Sequence, residues 1–189
     1  REQVMINQIM EFLVSTAFEF FTMLILLRLM MQLARADFYN PISQFIITVT
    51  NPPLKPLRRL IPSLWGIDFP ALLLAIVVQT VGMVLLVALK GALNSNLMLY
   101  IIYGVFGTLD IALQLMFFII LVQIVISWIA PNSYHPIVFL IRQLGDPIMA
   151  PFRRMIPPVG GLDFSPMIAI LVIHIFQNIV LPNILLSLV

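Results

Sequence analysis

The sequence predicts an all-α integral membrane protein. Its four transmembrane helices form a parallel tandem repeat of two helical hairpins, joined by Pro-rich amphipathic loops on the cytoplasmic side. Three observations predict this. Of the 189 residues, 61% are hydrophobic and only 10% are charged, against about 25% charged in an average soluble domain. Apolar stretches of about 20 residues, long enough to cross a bilayer, recur along the chain. And the two halves of the chain align with each other at a shift of 95 residues, without a gap.

The first apolar segment runs from Phe12 to Leu33 and contains Glu19 and Arg28. Glu2, Glu11 and Glu19 stand where a cleavable signal peptide would carry a basic start and an uncharged core, so this segment is expected to stay as a helix. The second segment, Phe69–Leu89, has no charge, and Lys90, Gly91, Asn94, Ser95 and Asn96 make a short polar break after it. Apolar character then continues from Leu97 to Ala130, interrupted only by Asp110. As one straight helix that stretch would be about 50 Å long at 1.5 Å per residue, more than the roughly 30 Å of a bilayer core. Either it tilts, or Leu97–Phe106 lies at the interface with a break at Gly104 and Gly107. Five spans would need a very tight turn at Asp110, so four are expected. The last segment runs from Pro166 to the C-terminus and holds His174, Gln177 and Asn178.

The stretches Ala34–Ile67 and Pro131–Ser165 hold 11 of the 14 prolines and 7 of the 10 basic residues, yet are too apolar for solvated linkers. Each reads as a short amphipathic segment and a Pro-punctuated turn resting on the membrane surface. The repeat is plainest here: NPISQFIITVTNPPLKPLRRLIPSLWGIDFPA against HPIVFLIRQLGDPIMAPFRRMIPPVGGLDFSPM. Pro41, Pro52 and Pro56 match Pro136, Pro147 and Pro151. Arg58-Arg59 matches Arg153-Arg154, Gly66 matches Gly161, and Asp68-Phe69 matches Asp163-Phe164. The units are residues 1–95 and 96–189. Each has an even number of spans, so both enter the membrane in the same direction, about an axis along the membrane normal. Arg35, Lys55, Arg58, Arg59, Arg142, Arg153 and Arg154 lie in the repeated loops, against Arg1 and Lys90 on the other side. The positive-inside rule therefore puts the loops in the cytoplasm and both termini outside.

The string MAPFRRMIPPVGGLDFSP (Met149–Pro166) resembles the signature of the YggT family of small bacterial membrane proteins, whose cyanobacterial and plastid relatives are called YlmG. The segment Leu33–Pro62 is similar to the first repeat of the two-repeat proteobacterial members. In the first unit Trp65-Gly66 and Phe69-Pro70 replace the Gly-Gly and Ser-Pro of the signature. The resemblance implies a place in a bacterial inner membrane and no enzymatic activity. It implies a link to envelope or osmotic stress, and for the plastid and Gram-positive relatives to division, nucleoid distribution or cytochrome complex assembly.

Three sets of residues are candidate sites. Arg58, Arg59, Arg153 and Arg154, placed at the interface, would attract anionic lipid headgroups or an acidic partner surface; alternatively they fix topology or pair with Asp68 and Asp163. Those two aspartates, each before a proline, read as helix-start caps. Within the spans, the 95-residue shift sets Glu19 against Gln114, Ser15 against Asp110, and Gln79 against His174. These polar groups are expected either to line a polar core that serves an ion or proton path, or to bond helix to helix. Arg28 is expected to snorkel to the cytoplasmic surface, and Tyr39, Trp65, Trp128 and Tyr134 to mark the interfaces.

The chain has no cysteine, and His135 and His174 lie far apart. No motif pairs a nucleophile with a base, cradles a phosphate or spaces metal ligands, so no enzyme, cofactor or metal is expected. A net charge of +2 argues against nucleic acid as a partner. The first expectation is an accessory or scaffold protein that binds a larger membrane complex or itself. The alternative is a homo-oligomeric channel or transporter using Glu19, Asp110 and His174.

Overall fold

A computed structural model describes residues 2–63, 66–156 and 163–188. It is helical throughout: α1 (Glu2–Leu33), α2 (Pro41–Leu60), α3 (Phe69–Leu89), α4 (Leu97–Ile129), α5 (Pro136–Met155), α6 (Ser165–Ile175), a π-helical turn (Phe176–Val180) and α7 (Leu181–Leu188). Four helices are long and apolar enough to span a membrane: Met5–Leu33, Phe69–Leu89, Leu97–Ile129 and Ser165–Leu188, the last made of α6, the π-turn and α7. Trp65 and the Pro157–Leu162 part of the repeated signature, with Gly161, lie outside the described residues.

The second half repeats the first element by element. α2 and α5 start and stop 95 residues apart, and each begins with a side-chain cap before a proline. Asn40 Oδ1 accepts from the Ser43 amide at 2.8 Å, and His135 Nδ1 from the Ile137 amide at 3.4 Å. Proline in the first turn needs no hydrogen-bond partner and is already bent to helical φ.

The connecting stretches are not short segments with turns, as expected, but 20-residue helices with prolines inside them. An internal proline removes one helical hydrogen bond and frees a carbonyl. Pro52, Pro56, Pro147 and Pro151 are all exposed, so the freed carbonyls lie on a face that water and headgroups reach. The opposite face of α2 buries Ser43, Ile46, Thr50 and Leu54, a three-and-four spacing. This face packs on α1 and α3, and α5 packs on α4 and α6.

α4 is one helix of 33 residues, with no break at Gly104 or Gly107. Gly104 is used for contact instead. A Cβ there would fall 2.0 Å from Thr80 Oγ1 and 3.0 Å from the Thr80 backbone nitrogen, so the missing side chain lets α3 and α4 touch. The α3–α4 seam joins the two units, and no seam of similar extent joins α1 to the last span. The halves therefore sit side by side rather than closing around a symmetric core.

The core lies toward the end that carries α2 and α5. There Ile25, Leu26 and Leu29 of α1 pack with Leu54, Ala71, Leu74, Ala75, Ile111 and Leu115. A second cluster joins Met31 and Ile46 to Ile119, Leu140 and Leu144 across the two units. At the opposite end the first half of α1 is largely bare, and Lys90 pairs with Glu11 at 3.3 Å.

Candidate functional site: an intramembrane cavity and the basic face

A cavity of about 460 Å³ lies among all four spans. Its polar lining is Ser15, Glu19, Gln79, Asp110 and Gln177, and Phe18, Tyr103 and Phe106 supply aromatic walls. Glu19 and Gln79 stand at the midpoints of Met5–Leu33 and Phe69–Leu89, so the polar floor is at mid-membrane depth. From there the cavity runs past Leu86 and Leu185 toward the ends that carry the termini. On the other side of the floor the same helices are closed by the core around Leu74 and Ile111.

The Asp110 carboxylate is held on both oxygens. Gln177 Nε2 donates to Oδ1 and Gln114 Nε2 to Oδ2, each at 2.8 Å. The Gln79 amide donates to the buried Thr22 hydroxyl at 2.9 Å. Glu19 is exposed and has no hydrogen-bond or ion-pair partner among the described residues. The cavity thus holds one braced and one unpaired carboxyl.

Of the six polar residues singled out within the spans, four line the cavity: Ser15, Glu19, Gln79 and Asp110. Gln114 is exposed and reaches the site only through Asp110. His174 is not there. It is exposed, with the Asn178 amide 3.0 Å from its Nδ1. The two-fold that would have set it opposite Gln79 fails in the last span, which packs on α4 and α5 without the α1 seam that α3 has, and Gln177, on the π-turn after His174, takes the inward place. Gln177 stands where the repeat has Gly82, so alignment of the halves does not single it out. π-turns recur at functional sites.

At the basic face the paired arginines divide in two. Arg58 forms an ion pair with Asp68, whose side chain is 1% exposed. Arg153 pairs with Asp146 at 3.2 Å and Asp163 at 3.3 Å. Arg59 and Arg154 point outward and make no hydrogen bond or ion pair among the described residues. Both aspartates also serve helix starts: Asp68 Oδ1 accepts from the Ala71 amide, and Asp163 Oδ1 from the Ser165 amide and hydroxyl. Burial pushes the Asp163 carboxyl up, but the Ser165 bonds and Arg153 outweigh it and hold the group below the usual carboxylate range. Arg28 does not snorkel. It is 6% exposed and donates to Thr50 Oγ1 at 2.7 Å and toward the Ile47 carbonyl at 3.4 Å. α2 lies over the end of α1 and offers these acceptors in place of water. Tyr39, Trp128 and Tyr134 are strongly exposed near this end. Among the described residues, no three His, Asp or Glu side chains come together as a metal site would need.

The family model described as CCB3/YggT matches residues 7–89 and again residues 102–184. The chain belongs to the CCB3/YggT family. It is 39% identical over 166 residues to the Escherichia coli protein YggT, which is described as uncharacterized; the match covers 88% of this chain and 86% of that one. An uncharacterized protein of Pseudomonas aeruginosa is 38% identical over 173 residues, covering 91% and 88%. The chloroplastic YlmG homolog protein 2 of Arabidopsis thaliana is 43% identical over 60 residues, which is 32% of this chain and 24% of its own. No solved structure matches. As a two-repeat CCB3/YggT protein, the chain is a membrane protein of four apolar helices whose polar residues converge within the spans.

Proposed function

We propose that the protein is a non-catalytic accessory subunit of the inner membrane, with the basic face in the cytoplasm and both termini outside. It docks in the bilayer against a larger membrane complex. One observation carries this reading: polar side chains at mid-span depth, Gln114, His174 and Asn178, are exposed outside the cavity. Facing lipid, such groups are costly, and a partner helix that supplies hydrogen bonds removes the cost. The basic face adds a second contact through Arg59 and Arg154. Extraction in mild detergent, followed by sizing and mass spectrometry, is expected to give a complex with a second protein at fixed ratio. A species containing this chain alone overturns the proposal. A role in envelope or osmotic stress, which the resemblance implies, predicts poorer growth at raised osmolarity when the protein is removed.

The cavity favours a second reading, a homo-oligomeric cation or proton path that enters at Glu19 and Asp110. A path through one chain would have to cross the core around Leu74 and Ile111, so several copies would be needed. Ion flux in vesicles that hold the purified protein, abolished by Glu19→Gln at normal protein level, would establish it. No flux above empty vesicles would exclude it.

A further inference from the structure

The space under α2 is filled, while the matching space under α5 is a cavity of about 760 Å³ between α4, α5 and α6. The 95-residue shift shows why. Arg28 becomes Gln123, Thr50 becomes Gly145, Asn51 becomes Asp146, and Ile47 becomes Arg142. In the first unit the Arg28 guanidinium is bonded to Thr50 beneath α2. In the second unit the shorter Gln123 lies against Gly145, where a Cβ would meet Gln123 Oε1 at 1.9 Å. Its amide donates to Asp146 at 2.9 Å, which fixes the orientation, because a carboxylate only accepts. The Oε1 atom is left buried without a partner among the described residues.

Charge changes with shape. Arg28, Arg58 and Asp68 carry a net positive charge. The matching positions of the second unit, with Arg142 and Asp146 in place of Ile47 and Asn51, hold two guanidiniums and two carboxylates, which balance. Asp146, Arg153 and Asp163 all line the cavity, as does Arg142, whose guanidinium is held by the carbonyls of Ala130 and Pro131. The second unit therefore has a pocket lined by both signs of charge where the first has a built-in guanidinium. Ile124 and Met149 form apolar walls, and the rim carries Trp128 and Met167, 81% and 66% exposed. A pocket at the span ends with such a rim opens to lipid.

We propose that this cavity seats the zwitterionic headgroup of an aminophospholipid. Its primary ammonium takes the place that the Arg28 guanidinium holds in the first unit, beside Asp146 and Asp163, and its phosphodiester lies at Arg142. The ammonium supplies the cation that the first unit carries there in its own side chain, and the phosphodiester leaves the charge of the pocket balanced. A trimethylated choline head cannot donate to these carboxylates, and a glycerol head brings no cation. The site is independent of the partner proposed above.

The test is native mass spectrometry of the full chain, titrated with short-chain phosphatidylethanolamine, phosphatidylcholine and phosphatidylglycerol. Phosphatidylethanolamine is expected to bind most tightly. Asp146→Asn, which installs the first unit's residue at an exposed position, should weaken that binding about tenfold, the cost of one charged hydrogen bond, and leave phosphatidylglycerol unchanged. The double change Gln123→Arg with Gly145→Thr should fill the cavity and abolish the preference; if that variant misfolds, Asp146→Asn decides alone. Equal binding of the three lipids, or no effect of Asp146→Asn, overturns the proposal. Competition by soluble phosphoethanolamine as strong as by the lipid overturns its lipid part.

Discussion

The two units follow the same path at a spacing of 95 residues, but they are finished differently. Beneath α2, Arg28 fills the space and the Asp68 carboxylate is almost wholly buried against Arg58. Beneath α5 the same positions leave a cavity, and the Asp163 side chain is 42% exposed. The second spans differ in the same sense. α3 packs along both α1 and α4, whereas the last span lies against α4 and is widened by a π-turn at the intramembrane cavity. In this protein the repeated prolines, arginines and aspartates specify the backbone, while the unrepeated side chains decide which unit is packed and which is open. Both cavities border the second unit, so its looseness is where binding capacity lies.

The largest expected effect breaks the seam that the units do not share. Gly104→Leu should separate α3 from α4 and cost about 3 kcal/mol, as overpacking of a tight contact does. It would be read as loss of monodisperse protein on heating in detergent. The matching position in the first unit is Ile9, which is half exposed, and Ile9→Ala should change little. Equal effects at the two positions would mean that α1 also packs on its N-terminal half.

A second comparison sets Asp68→Asn beside Asp163→Asn. Removing the buried carboxylate strands Arg58 and weakens the start of α3, which should cost about 2 kcal/mol after allowance for the part-exposed arginine. The exposed counterpart should cost under about 1 kcal/mol. Thermal unfolding of the two variants measures the difference, and similar losses would contradict the unequal burial. Arg28→Gln with Thr50→Gly carries the second unit's pattern into the first. It should open a space under α2 and destabilise by about 1–2 kcal/mol through the lost charged hydrogen bond.

The spans and the repeat were legible because apolar length and a fixed shift are properties of the sequence alone. α2 and α5 were legible as amphipathic stretches but not as helices. Proline normally marks a break, and only the structure shows Pro52, Pro56, Pro147 and Pro151 all facing outward. Glu19, Gln79 and Asp110 were found because an ionisable or amide group inside a span stands out. His174 stood out equally and was misplaced, since the repeat implies that the last span packs as α3 does, whereas it has no matching seam with α1. Gln177 was passed over because its repeat partner is a glycine. Arg28 read as a snorkelling side chain because its acceptors, Thr50 and the Ile47 carbonyl, come from a helix 19 to 22 residues further on.

The smallest effect sharpens the comparison through pH. Asp163 is held below its ordinary pKa by Ser165 and Arg153 against the opposing effect of burial. A carboxyl lowered in the folded state contributes stability that is present above its unfolded pKa, about 3.9. That contribution is lost as pH falls through the lower folded value, because the proton then binds the unfolded chain first. The melting temperature should thus fall slightly more between about pH 5 and pH 3 in the wild type than in Asp163→Asn. Ser165→Ala should give an intermediate slope, since it removes the hydroxyl bond and keeps the amide one. If the slope is unchanged in Asp163→Asn, the acid response belongs to other carboxyls. The start of the last span would then be held by its backbone and by Pro166 rather than by the charge before it.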